Sequence, residues 1–140
     1  MDCRVATLLD FVPEDDGEEA GLTTFMSDSH HYEVAVTRRQ GRRVVLLRRR
    51  VADLQSEEAC APLPEGPVGL ACDATPEAFA FSYTTADGMT HPLGAGNSRL
   101  LSAEVASVFT GMYFGVYATG NGRPCRVPAD FDWFEVSFAP

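Results

Sequence analysis

Hydrophobic and polar positions alternate along most of this chain with the period of two that marks a half-buried β-strand. The clearest case runs from His30 to Thr37. It places Tyr32, Val34 and Val36 on one face and Glu33, Ala35 and Thr37 on the other. Val68, Leu70 and Cys72 share a face in the same way, as do Phe79, Phe81 and Tyr83. Further strands are expected over Cys3–Phe11, Ala20–Met26, Val44–Val51, Gln55–Ala61, Met89–Leu93 and Met112–Ala118, with a closing strand that opens at Ala129. Between them lie turn and breaker signals: Val12-Pro13, the acidic run Glu14–Glu19, Ser27-Asp28-Ser29, Gln40-Gly41, the proline-rich Pro62–Pro67, Thr75-Pro76-Glu77 and Asp87-Gly88. About ten short strands with turns every ~8–12 residues predict an antiparallel sandwich. The lone helical candidate is one turn at Ser102–Ala106, with Ser102 as its cap. No sustained 3.6-residue period supports a parallel α/β sheet.

Composition narrows the function. The 140 residues make one domain, 45% hydrophobic and 22% charged, with no internal repeat or linker. No apolar run reaches the ~18 residues of a membrane helix, and Met1-Asp2-Cys3-Arg4 lacks a signal-peptide pattern, so no membrane partner and a cytoplasmic location are the default expectations. A net charge of −9 disfavours nucleic acid. All basic residues are arginine, and seven fall between Arg38 and Arg50. They read as a solvated hairpin paired with acids such as Glu57 and Glu58, because the aromatic interleaving of single-strand binders is missing. Cys3, Cys60, Cys72 and Cys125 have no CxxC spacing, which argues against zinc and for buried free thiols. A disulfide remains the alternative for a secreted chain.

Two separated motifs in the last third carry a resemblance. Arg99 to Phe138 reads RLLSAEVASVFTGMYFGVYATGNGRPCRVPADFDWFEVSF. It is similar to the "LS-EVA--FTG---G-YA" segment and final "ADFD-F" strand of the C-terminal module of glycoside hydrolase family 43, the β-xylosidase and α-L-arabinofuranosidase group. Gly17–Leu22 resembles the family's "GEEAGL", and His31-Tyr32-Glu33 its "HY-L" strand. The resemblance implies an all-β, concanavalin A-like jelly-roll sandwich over residues 1–140, partial at its N-terminus, with opening strands missing and a sheet edge exposed in their place. It also implies a partner, since the family's chemistry belongs to a five-bladed catalytic propeller that hydrolyses xylosidic or arabinosidic bonds with inversion. A chain of 140 residues cannot hold both units. The expected role is therefore a non-catalytic module that supports the propeller and its pocket rim and contributes to oligomer contacts. A free-standing, lectin-like module for xylan- or arabinan-type sugars is the alternative.

Within the chain, no residue is expected to be catalytic. His30, His31 and Tyr32, at a strand end, and Arg123, in the Gly120–Val127 loop, are the expected sugar or interdomain contacts. Phe79, Phe81, Phe131 or Trp133, and Phe134 are expected in the core. Asp130 and Asp132 stand two apart on a strand and so face one side. Two close carboxylates raise one pKa and make an acid/base pair, but a polar strand edge is the favoured reading. No cofactor is expected, with a structural calcium on Asp130 or Asp132 as the alternative that analogy with the fold suggests. His30 and His31 point to opposite faces and cannot share a metal. No G-x-S-x-G elbow and no phosphate loop is present.

Overall fold

In the computed structural model, residues 3–27, 30–75, 78–97 and 113–138 are described. They form ten strands: β1 Cys3–Asp10, β2 Glu19–Ser27, β3 His30–Arg39, β4 Arg42–Val51, β5 Leu54–Pro62, β6 Val68–Ala74, β7 Ala78–Thr84, β8 Thr90–Asn97, β9 Tyr113–Thr119 and β10 Asp130–Phe138. No helix occurs among the described residues; the turn expected at Ser102–Ala106 lies outside them.

The strands pair into two five-stranded antiparallel sheets, a first of order β10-β1-β6-β7-β8 and a second of order β5-β4-β3-β2-β9. This is the sandwich the alternation predicts. Its core is the cluster of inward residues from both sheets, among them Val5, Leu9, Leu22, Val34, Val36, Leu47, Leu70, Phe79 and Phe81. The β3–β4 hairpin forms where Gln40-Gly41 allows it: both residues have positive φ, 51° and 74°, as a tight hairpin turn of matching twist requires.

The sheet edges differ from the expectation of an open place beside the first strand. β1 is bonded on both sides, to β10 and to β6. The outer strands of that sheet are β10 and β8. β10 therefore carries an exposed flank, and Phe134 and Val136, which stand opposite the inward Thr7 and Val5, are each 43% exposed. Phe134 was expected in the core; it overhangs because β10 is the outermost strand. Trp133 is equally exposed, while Phe131 packs against the core. Phe79 and Phe81 are buried as expected.

The arginine-rich hairpin behaves as a paired surface. Arg39 bonds Glu57, Arg49 bonds Glu58 at 3.0 Å and Arg38 meets Asp16 at 3.3 Å. All four cysteines are free. Cys72 fits the expected buried thiol, and burial pushes its pKa up to about 12. Cys60 does not fit, because β5 is an outer strand and leaves it exposed.

Candidate functional site

The outward face of the second sheet follows from strand register. With Leu22, Val34 and Val36 turned into the core, the alternate positions Glu19, Gly21, Thr23 and Phe25 of β2 point outward. β3 places Thr37, Ala35, Glu33 and His31 opposite them, rung by rung. β9 places Thr119, Tyr117, Gly115 and Tyr113 on the other side of β2. β4 sets Arg48 opposite Glu33 and Leu46 opposite Ala35.

The centre of this face is a floor of small residues. Gly21 and Ala35 are partners, and a Cβ on Gly21 would come within 2.3 Å of the Val34 carbonyl oxygen. Over that floor lies an ion cluster. The Arg48 guanidinium donates to both oxygens of Glu19, at 2.5 and 3.2 Å, and through Nε to Glu33 at 3.1 Å. Tyr117 donates its hydroxyl to Glu19 at 2.6 Å, and His31 Nδ1 bonds Glu33. Glu19 and Glu33 are only 2% and 6% exposed, and the outward Ala35 and Leu46 are fully buried as well.

These bonds decide the electrostatics. Burial opposes the Arg48 charge, yet the hydrogen bond and charge of Glu19 outweigh it and raise its pKa. Burial, followed by the adjacent Glu19 carboxylate, holds the Tyr117 phenol well above its usual range. The cluster is thus a carboxylate pair held by one arginine, bidentate to Glu19 and through Nε to Glu33.

Two hollows flank it. One, of about 300 Å³, is lined by Thr23, Phe25, His31, Glu33 and Tyr117. The other, of about 620 Å³, includes Asp16, Glu19, Arg38, Arg48 and Asn121. Beside the larger one, Glu18 ties the loop ends together. Its carboxylate accepts from the backbone N–H groups of Glu14, Asp15 and Arg126 at 2.7, 2.9 and 3.0 Å. The bonds from Asp15 and then Arg126 hold its pKa down to about 2.

The residues singled out from sequence do not converge. His31 enters the cluster and stacks on Phe25, ring centroids 5.8 Å apart. His30 is half-buried at the start of β3. Tyr32 is corrected: it is 1% exposed, edge-on to Phe79 at 5.6 Å, because it shares the inward face with Val34. It cannot touch a sugar. Arg123 sits in the exposed turn after β9, at the opposite end of the sheet from His30 and His31. Asp130 and Asp132 line one hollow with Asp10, on the first sheet. Among the described residues no group of three or more His, Cys, Asp or Glu side chains is placed to hold a metal ion. Sequence reasoning missed Glu19, Arg48 and Phe25, and offered Tyr117 only as one of several rings able to stack on a sugar. The available signal was a pair of acids, Glu19 and Glu33, at outward strand positions beside Gly21 and Ala35.

Comparison with known proteins agrees with this architecture. Residues 1–137 match the family described as the β-xylosidase C-terminal concanavalin A-like domain. The chain is 38% identical over 128 residues to the non-reducing end α-L-arabinofuranosidase BoGH43B of Bacteroides ovatus, covering 91% of this chain and 24% of that protein. Among solved structures, the Bacteroides ovatus xyloglucan PUL GH43B superposes with a TM-score of 0.93 at 36% identity, over 97% of this chain and 27% of that one. The xylan β-1,4-xylosidase of Bacillus halodurans C-125 superposes with a TM-score of 0.87 at 23% identity, over 98% and 28%. The chain thus spans about a quarter of the length of the relatives it matches.

Proposed function

The chain belongs to the β-xylosidase C-terminal concanavalin A-like domain family, and from that premise we propose that it is a non-catalytic sandwich module that supports the catalytic propeller of a family 43 glycosidase and shapes the rim of its pocket. The observation that carries this reading is the whole-chain match to a unit making up only 24% of a longer arabinofuranosidase. The chemistry of the chain is consistent with it. Glu18 is spent on backbone N–H groups, and Glu19 and Glu33 are spent on Arg48. The overhanging β10, with Trp133, Phe134, Val136 and Phe138 exposed, offers an apolar flank for contacts to a neighbouring domain or copy.

Co-expression with a family 43 catalytic propeller as a separate polypeptide tests the proposal. The expected result is co-elution on size exclusion and slower heat inactivation of the propeller. Independent elution with unchanged inactivation overturns it.

A further inference from the structure

The two sides of the sandwich are finished differently. β8 packs over β4 and β5, and β1 over β2, so the outermost strands meet as β8 with β5 on one side and β10 with β9 on the other. On the β8–β5 side the edges are blunted. Pro92 within β8 and Pro62 at the end of β5 have no N–H to offer another strand. Leu93, Ala59 and Ala61 pack against the core there, and Arg39 and Arg49 hold Glu57 and Glu58 of β5.

The β10–β9 side lacks these features. β10 contains no proline, and from Trp133 to Phe138 it runs in unbroken register with β1, the one irregularity falling at Leu8/Leu9. Its other flank has no strand beside it among the described residues, which leaves a row of backbone N–H and C=O groups at the edge. The side chains that should close the core there are uncovered as well. Phe134 and Val136 are 43% exposed and Phe138 63%, although they stand opposite the inward Thr7, Val5 and Cys3. Across the seam, Val116 of β9 stands opposite the inward Leu22 and is 39% exposed. Core-facing side chains left open on both outermost strands mark a gap in the wall of the sandwich.

The chemistry of the edge selects what fills it. A row of free backbone groups calls for an extended chain, which can pair with them rung by rung. Every charged side chain of β10 is acidic: Asp130, Asp132 and Glu135, all exposed, with Asp10 directly opposite Asp130. Arg4, the base of β1, is taken up by Asp73 at 2.6 Å. A second copy joined edge to edge along β10 would set these carboxylates against one another, whereas a basic strand would compensate them.

We propose that β10 is an acceptor edge for one added β-strand, an extended segment of alternating apolar and basic residues. The apolar ones turn inward onto Phe134, Val136, Phe138 and Val116, and the basic ones turn outward beside Glu135. The polypeptide of the catalytic propeller supplies this strand, an assignment that rests on the supporting role proposed above.

Titration of the chain with a short valine–lysine alternating peptide, followed by amide chemical shifts, tests the edge. Saturable binding is expected, with shifts centred on Trp133–Phe138 and Val116. A valine–glutamate peptide, and a fully N-methylated valine–lysine peptide that keeps the charge but has no N–H, should each bind roughly tenfold more weakly or worse. Val136→Asp, which points a charge into the gap, should weaken binding to the same degree. If that variant impairs folding, Glu135→Lys decides the matter, weakening the lysine peptide and strengthening the glutamate one. No binding, equal binding of the N-methylated peptide, or shifts centred elsewhere overturns the acceptor edge. So does a dimer in sedimentation that Val136→Asp dissolves, since the edge then belongs to a second copy. In the co-expression experiment Val136→Asp should abolish co-elution with the propeller. Peptide binding with co-elution unchanged by Val136→Asp overturns the source of the strand. Co-elution without peptide binding overturns the edge and leaves the supporting role standing.

Discussion

Two acid-rich regions of this sandwich have opposite fates. On the second sheet, Glu19 and Glu33 are buried on strand positions that face away from the core. At the margin of the first sheet, Asp130 stands directly opposite Asp10, with Asp132 nearby, and both Asp130 and Asp132 are exposed. The difference is made by what surrounds each pair. Gly21 and Ala35 give the glutamates a floor low enough to be roofed, and Arg48, one strand from Glu33 and two from Glu19, pairs with both. The aspartates sit on an outermost strand with no such floor. A carboxylate's role here is set by the height of its neighbours and the reach of one cation, not by its place on a strand.

The comparison breaks most sharply at Arg48. Arg48→Met leaves two buried carboxylates without their cation and should cost roughly 3–5 kcal/mol in urea denaturation. A loss below about 1 kcal/mol would put the cluster among ordinary surface bridges. Acid acts next, through Glu18. Its folded pKa, about 2, lies below the unfolded value of 4.5, so its contribution is complete above pH 4.5 and is lost as pH falls from there toward 2. Thermal scans across that window should show stability falling with pH, and Glu18→Gln should flatten the slope. The smallest effect belongs to the first sheet. Asp130→Asn and Asp132→Asn should shift stability by no more than about 0.5 kcal/mol. Asp130→Asn should move it upward, because it removes like charges paired directly across β1 and β10. A large loss from either would mean that these acids, too, hold something in place.

The strands were legible because alternation is local. Tyr32, Val34 and Val36 announce one face within five residues, and Gln40-Gly41 announces its own turn. Tyr32 shows how a correct pattern was overruled: its position near a strand end suggested a contact residue, while its alternation with Val34 already placed it inside. The ion cluster was not legible, because Arg48 and Glu19 are 29 residues apart and meet only after β2, β3 and β4 take one particular register. A slip of one residue would turn the same side chains into the core. The exposure of Phe134 was hidden for a similar reason, since nothing within β10 tells it that it is outermost. The family motifs supplied the fold class, a concanavalin A-like sandwich, but not the strand order, and the edge expected beside β1 is covered by β10.

The pairing of β1 with β10 has a consequence for biosynthesis. Cys3 finds its partner at Phe138, so β1 must wait for the synthesis of β10, more than a hundred residues later, before one of its flanks is covered. Until then, a growing polypeptide presents β1 with only β6 beside it, and closure of that sheet is a late event in the folding of this unit. Nascent chains arrested before residue 130 should accordingly be richer in chaperone contacts than those in which β10 has emerged.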